Sequence, residues 1–418
     1  MNLVFVESNT TGSGMLALRR AAALGLTPVL ATADPSRYRG LAATGARTLV
    51  CDTGGDGLAG TLREQVGDLA GVTTTSEFYV TLAARAAAEL GLPGNPPQAM
   101  AACRDKGRTR RLLAAARLPS PVFRFVDGRG DLKTQVLAAL SCIALPCVVK
   151  PVDDTGSYGV RLCSTAHEAV AAVEAIVRAP VNVRGQPAAA TALVEGYLSG
   201  PEFSLEMLSS GERHECAGIV AKRVTSPPHF VERGHVFPAP LPAPDAATLV
   251  ETARRALTAV GVTHGVTHVE MKLIDGRGYV VEINARPAGG MIPAVIARSC
   301  GFDLLDAHLR AAVGLPYPSL PEAFTPTGIA FLLAPECLNG QEAVLREVRG
   351  VREARRVPGV AEVTVTAAPG ARVRAARSSY DRLGYAIAGA PTHAGLDRAL
   401  ERALSSLKLT LDPTRGSA

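Results

Sequence analysis

The run His268-Val269-Glu270-Met271-Lys272-Leu273-Ile274-Asp275-Gly276-Arg277-Gly278-Tyr279-Val280-Val281-Glu282-Ile283-Asn284 carries the strongest local signal in the chain. Two apolar, β-rich segments flank Asp275-Gly276-Arg277-Gly278, whose residues are those of a tight turn, so a β-hairpin is predicted. A turn centred on Gly276 sets Glu270 opposite Glu282, and the period of two puts Glu270, Glu282 and Asn284 on one face. Two like charges facing each other destabilise a sheet unless a cation lies between them. Two carboxylates and an amide oxygen are the hard ligands that suit Mg²⁺ when it also takes phosphate oxygens. Arg286 continues the same face. On the hairpin alone, a solvated polar face explains the pattern equally well.

Further segments upstream narrow that choice. Lys150 ends the apolar run 146–149 and is followed by Pro151-Val152-Asp153-Asp154-Thr155-Gly156-Ser157-Tyr158-Gly159, a loop whose backbone N–H groups suit phosphate oxygens. Lys106 lies in the densest basic stretch, 104–111, which read alone is a solvated helix face. Only six lysines occur among 44 basic residues, at 106, 133, 150, 222, 272 and 408, so each retained lysine is informative. Lys106, Lys150, the acid-bearing strand Val194-Glu195-Gly196-Tyr197-Leu198 and the hairpin together read as a nucleotide site.

The first hundred residues alternate strand and helix signals, with strands at 3–6, 28–31, 48–51 and 72–74 and helices at 15–24 and 79–90. That rhythm predicts an open parallel α/β domain. The turn Thr11-Gly12-Ser13-Gly14 lacks the third glycine of a dinucleotide fingerprint and reads as a plain βα turn. From 122 onward the pattern becomes α+β, with strands at 122–126, 146–150, 192–195 and 202–208, helices at 132–140 and 166–178, and a loop at 179–190. Residues 226–244, with six prolines, two histidines and two phenylalanines, read as a substrate-proximal loop. Strands near 327–333, 360–366 and 384–388 and a helix at 395–407 form a C-terminal cap.

The chain of 418 residues is too long for one core, and its 47% apolar and 20% charged residues exclude a disordered or collagen-like chain. The net charge of +6 is dispersed, and with 4% aromatics and no Trp there is no platform for stacking on nucleic acid. Residues 134–149, the longest charge-free stretch, contain Pro146 and fall short of a bilayer span. Residues 1–7 read as a strand and not as a signal peptide, and eight cysteines without a CxxC read as reduced thiols, so a cytoplasmic protein is expected. His264 and His268 have a metal-like spacing, but Gly265, Val266 and Thr267 oppose the helix it would need, while His268 shares the face of Glu270 and could support it from behind. His167 and His308 read as solvated or packed. Glu77, opening a helix after 73–76, reads equally as a cap and as a substrate contact.

With these motifs in order, the sequence resembles the ATP-grasp superfamily, and within it the carboxylate–amine ligases of the L-amino acid ligase type. The resemblance rests on Arg104-Asp105-Lys106 through Arg110-Arg111, on Val149-Lys150-Pro151 with its loop to Gly159, on residues 194–206, and on Val281-Glu282-Ile283-Asn284-Ala285-Arg286-Pro287. It implies an α/β and α+β multidomain protein with the ATP-grasp fold. The expected parts are an open parallel α/β domain at 1–105, ATP-grasp subdomains at 106–190 and 191–322, the second carrying the hairpin, and a small α+β domain at 323–418.

Carried over residue by residue, the resemblance implies that Lys106 and Lys150 contact ATP phosphates beneath a loop formed by Gly156, Ser157 and Gly159. Glu195, Gly196, Tyr197 and Leu198 would hydrogen-bond adenine through their backbone, and Glu202 would hold the ribose. Glu270, Glu282 and Asn284 would hold two Mg²⁺, with Mn²⁺ able to substitute. Arg286 would stabilise the transferred phosphoryl group. Glu232 and His235 would face substrate, Glu232 or a phosphate oxygen taking the proton of the amine. Asp154 departs from the glycine common in family loops, and Gly289 and Gly290 stand where relatives carry a bulky ring, which implies a larger substrate pocket. The expected reaction joins a small carboxylate to an amine, with ADP released, no nucleic acid or membrane partner, and a homodimer as a family habit. A bicarbonate-activating carboxylase is the rival within the fold, and a non-catalytic nucleotide-binding regulator is the rival outside it.

Overall fold

A computed structural model of the chain describes residues 1–10, 12–338 and 341–413, so Thr11 of the first βα turn and the last five residues of the C-terminal segment lie outside the described residues. The chain forms two compact units, each assembled from non-adjacent stretches. One comprises Met1–Ser120, Phe203–Ile219 and Leu241–Glu322, and the other Pro121–Glu202, Val220–Pro240 and Ala323–Ala418.

The first unit contains the expected parallel sheet, in the order Arg47–Val50, Thr27–Thr32, Asn2–Val6, Leu69–Thr73. Alternation sorts its side chains. Val4, Val6, Val29 and Ala31 pack on the helices Leu58–Gln65 and Val80–Glu89, whereas Leu3, Phe5 and Leu30 pack on the helix Ser13–Ala23. A parallel sheet must be covered on both faces. The second cover is completed by Leu305 and Leu309 of the helix Leu304–Ala312, far along the chain, each buried leucine contributing about 2 kcal/mol.

The predicted hairpin in this unit is formed by the strands His264–Ile274 and Arg277–Asn284. Asp275 and Gly276 turn the chain with φ of 48° and 69°, the left-handed pair that a two-residue turn requires. That turn pairs Ile274 with Arg277, not residues flanking a centre at Gly276, and by itself would set Glu270 against Val281. A bulge at Val281 shifts the register, so that Glu270 opposes Glu282 and His268 opposes Asn284. Both hairpin carboxylates therefore share a face, through a bulge that the turn reading did not contain.

Arg110 holds the bulge. It is 1% exposed and donates from Nη1 to the Val280 carbonyl at 2.9 Å and from Nη2 to the Val281 carbonyl at 3.0 Å. Its helix, Lys106–Ala115, begins at Asp105, whose carboxylate accepts from the N–H groups of Gly107 and Arg108.

The second unit holds an antiparallel sheet in the order Phe123–Asp127, Thr191–Gly196, Cys147–Pro151, Arg161–Cys163, covered by the helices Leu132–Leu140 and Ala166–Val177. The proline-rich segment corrects the reading of 226–244 as a loop. Its centre, Glu232–Phe237, is a strand paired with Arg213–Val224 and with Thr327–Leu332. The six prolines lie on either side of that strand and leave its ladder N–H groups intact. The C-terminal strands and the helix His393–Ser406 form as expected. A further small sheet, Arg372–Arg374, Glu342–Arg349, Lys408–Pro413, was not among the expected elements.

Arg110→Met leaves two buried carbonyls without their donor and should lower stability by about 3 kcal/mol. A urea unfolding midpoint equal to that of the wild type would remove Arg110 as the clamp on the bulge.

Candidate active site

In the first unit the hairpin face presents Glu270 and Glu282, both half-buried, beside the buried Asn284 and Arg286. Lys106 is the first residue of its helix, four before Arg110 and so on the same face, and its Nζ lies 2.9 Å from Glu282 Oε1. The positive helix N-terminus adds to this field. Glu270 has a different cationic neighbour: His268 Nε2 is 3.3 Å from Glu270 Oε1, while Nδ1 is 2.8 Å from Glu206 Oε1. Burial opposes charge on His268, but the two carboxylates prevail and raise its pKa to about 10.

Arg286 places Nε 3.0 Å from Glu77 Oε2 and Nη2 3.3 Å from Asn284 Oδ1. Glu77 is buried at the start of the short helix Glu77–Tyr79 but makes no cap with its side chain, so it serves as an ion-pair partner. Burial pushes its carboxyl above the usual range, against the pull of Arg286 and Arg104. A Cβ on Gly289 would meet nothing within 4 Å. Among the described residues no group of three or more His, Cys, Asp or Glu is arranged for a metal ion. Two opposed carboxylates with one amide oxygen still fit Mg²⁺, which keeps waters and binds one or two carboxylates together with phosphates.

In the second unit, Lys150 on the strand Cys147–Pro151 forms a buried ion pair with Glu195 on the adjacent strand, the two lying diagonally on one face. Tyr197 stacks on Phe230, with ring centroids 5.9 Å apart. In the loop after Lys150, Gly156, Ser157 and Gly159 take φ of 67°, 58° and 70°, left-handed conformations that turn the loop sharply. Ser157 Oγ donates to the Phe230 carbonyl at 2.9 Å, and the Ser379 N–H donates to the Gly156 carbonyl at 3.0 Å. Asp153 accepts from the Ala189 N–H and Asp154 is buried, so neither is a free anion at the loop surface.

Glu202 and Glu232 are joined by a lysine. Lys222 Nζ lies 2.7 Å from Glu202 Oε1 and 2.9 Å from Glu232 Oε1, and Arg382 also pairs with Glu232. Burial would raise the Glu232 carboxyl, but Lys222, His235 and Arg382 hold it well below its ordinary range. A carboxylate so held is a weak proton acceptor, which weighs against the expected base role. His235, expected beside substrate, is 0% exposed and packs edge-on against Phe331 at 5.6 Å, inside the strand ladder.

The sequence reading missed Glu206, Lys222 and Arg382. Lys222 was within reach as one of six lysines, and Glu206 as an acid inside the apolar strand Glu202–Ser210. Arg382 gave no signal, being one arginine among many. His308 is packed, bonded to Thr73 with its pKa lowered to about 4 by burial, and His167 is exposed.

A carboxyl with a depressed folded pKa stabilises the protein above its unfolded value, 4.5 for Glu232, and that stability is lost as pH falls through the folded value. Glu232→Gln should therefore flatten the loss of stability below about pH 4.5. Equal acid-unfolding curves for variant and wild type would refute the strong pairing of Glu232.

The ATP-grasp domain family matches residues 143–294, and L-amino acid ligase C-terminal domain 2 matches residues 338–412. The uncharacterized protein y4rH of Sinorhizobium fredii is 30% identical over 415 residues, 98% of this chain and 83% of that protein. Carnosine synthase 1 of Gallus gallus is 32% identical over 256 residues, 59% of this chain but only 27% of that protein. The crystal structure of L-amino acid ligase from Bacillus licheniformis superposes with a TM-score of 0.81 at 22% identity over 98% of both chains, which establishes the fold. Matched along its length by these domains and by the y4rH protein, the chain belongs to the ATP-grasp superfamily of carboxylate–amine ligases, enzymes that form carbon–nitrogen bonds, and resembles the L-amino acid ligases among them.

Proposed function

We propose that this enzyme activates the carboxylate of an amino acid with ATP and joins it to an amine, releasing ADP and phosphate. The observation that carries the reading is the bulged register that sets Glu270 opposite Glu282, with Lys106 on Glu282 and Arg286 beside Asn284. A solvated polar face does not account for a buried arginine, a buried lysine and a buried asparagine gathered on it.

The chemistry explains the need for such a cluster. A carboxylate resists an amine because its leaving group would be oxide. Its oxygen must first attack the γ-phosphorus of ATP, forming the acyl phosphate as the bond to ADP breaks. The amine nitrogen then attacks the acyl carbon and phosphate departs. In this reading Lys106 and Lys150 hold phosphates, the loop of Gly156, Ser157 and Gly159 covers them and excludes water, residues 195–198 hold adenine, and Glu202 the ribose. Glu270, Glu282 and Asn284 hold Mg²⁺, which when bound neutralises charge on the phosphates. Arg286 faces the acyl phosphate, oriented by Glu77 and Asn284. Because Glu232 is a weak base, the amine proton passes to a phosphate oxygen, and Glu232 with Lys222 fixes the ribose-side Glu202. Gly289 and Gly290 leave room for a substrate side chain.

Two metal ions, replacement of Mg²⁺ by Mn²⁺, a homodimer and a cytoplasmic location complete the proposal. Eight free cysteines favour a reducing compartment, and among the described residues no helix is long and apolar enough to cross a membrane.

Incubation with ATP, Mg²⁺ and amino acids, singly and in pairs, tests the reaction. The expected result is ADP and phosphate release that depends on a pair, with a product lighter than the two by one water. Release that depends on bicarbonate instead would move the enzyme to carboxylation, and absence of turnover with every acid and amine would defeat the amino acid reading. Glu282→Ala should lower kcat about a thousandfold in a folded protein, and near-normal kcat would sink the metal assignment. Arg286→Ala should lower kcat about 10²- to 10³-fold while ATP affinity changes less than about tenfold. Unchanged kcat would take Arg286 out of the phosphoryl step.

A further inference from the structure

The two opposed hairpin carboxylates are held in different ways. Glu282 meets Lys106, a long side chain at a helix start, whereas Glu270 meets an imidazole that is itself anchored. Behind His268 stands Glu206, 0% exposed on the strand Glu202–Ser210, whose Oε1 receives the Ser204 hydroxyl at 2.9 Å and His268 Nδ1 at 2.8 Å. Glu206 Oε2 has no hydrogen-bond partner among the described residues. A carboxylate buried with one oxygen unmatched costs several kcal/mol unless strongly paired, and core packing alone would be served as well by an apolar side chain. Both ring nitrogens of His268 lie against carboxylate oxygens, at 2.8 Å and 3.3 Å, so the ring is held from two sides.

We infer that Ser204, Glu206 and His268 form a positioning relay that fixes the Glu270 carboxylate for a divalent cation. Histidine ligands of metals are oriented by outer carboxylates in the same manner, with the order of ring and carboxylate here reversed. Ser204 and Glu206 set the ring, the ring sets Glu270 Oε1, and the hairpin register sets Glu270 against Glu282. The chain of contacts runs through side chains that are buried up to Glu270 itself, so the ring has no alternative rotamer in solvent. His268 is a positioning residue, since it acts on the cation through Glu270.

The inference rests on the metal reading of Glu270, and the experiment separates the two. Mn²⁺ binding to the 418-residue chain with ADP is measured by titration calorimetry, alongside the thermal midpoint of each variant. His268→Gln should weaken Mn²⁺ binding about ten- to a hundredfold. Glu206→Gln should weaken it in the same direction, and the double variant should bind no more weakly than His268→Gln, because the relay is already cut. A lowered thermal midpoint with wild-type Mn²⁺ affinity in His268→Gln would show a purely structural role and overturn the relay. Should His268→Gln not fold, Glu206→Gln and Ser204→Ala carry the test, and wild-type Mn²⁺ affinity in both overturns it. Glu282→Ala is the control: if it binds Mn²⁺ as tightly as the wild type, the metal reading falls and the relay with it.

Discussion

The fully buried Arg110 guanidinium is the contact on which the candidate site depends most. Two of its N–H groups take the carbonyls of Val280 and Val281, where one extra residue displaces the strand from its partner. Without the bulge the two-residue turn would place Glu270 against Val281, and Glu282 would point from the other face. The same helix delivers Lys106 to Glu282 one turn earlier, so a single element both holds the register and supplies the cation that the register calls for.

Charge compensation follows a common rule in both units. Lys150 meets Glu195, Lys222 joins Glu202 to Glu232, Glu77 meets Arg286, and His268 stands between Glu206 and Glu270. Buried charges persist only when paired and hydrogen-bonded, and breaking one partner leaves the other uncompensated. Each of these pairings also fixes the direction of a long side chain, because both partners come from packed elements.

Much of this was legible along the chain. The parallel rhythm of the first hundred residues, the hairpin and the lysine before the glycine-bearing loop are local patterns, in which residue type and spacing suffice. The strand inside 226–244 was hidden because prolines dominate its composition while standing only at its edges. The substrate-side roles of Glu232 and His235 came from resemblance, and the base role of Glu232 from the need to deprotonate an amine. Whether a carboxylate is basic depends on Lys222 and Arg382, neighbours brought from 10 and 150 residues away.

What the sequence determined by itself is therefore the elements of the first hundred residues, the hairpin, the family to which they belong and the chemical types gathered on the hairpin. Backbone propensity, turn residues and period act over a few positions and are written in consecutive residues. Tertiary structure alone decided the bulge, the Arg110 clamp, the partner of each charge and the depth of Glu206 and His268. Those depend on distances between segments remote in the chain and on the exclusion of water, and a side chain's charge state and orientation follow from that environment and not from its own position in the sequence.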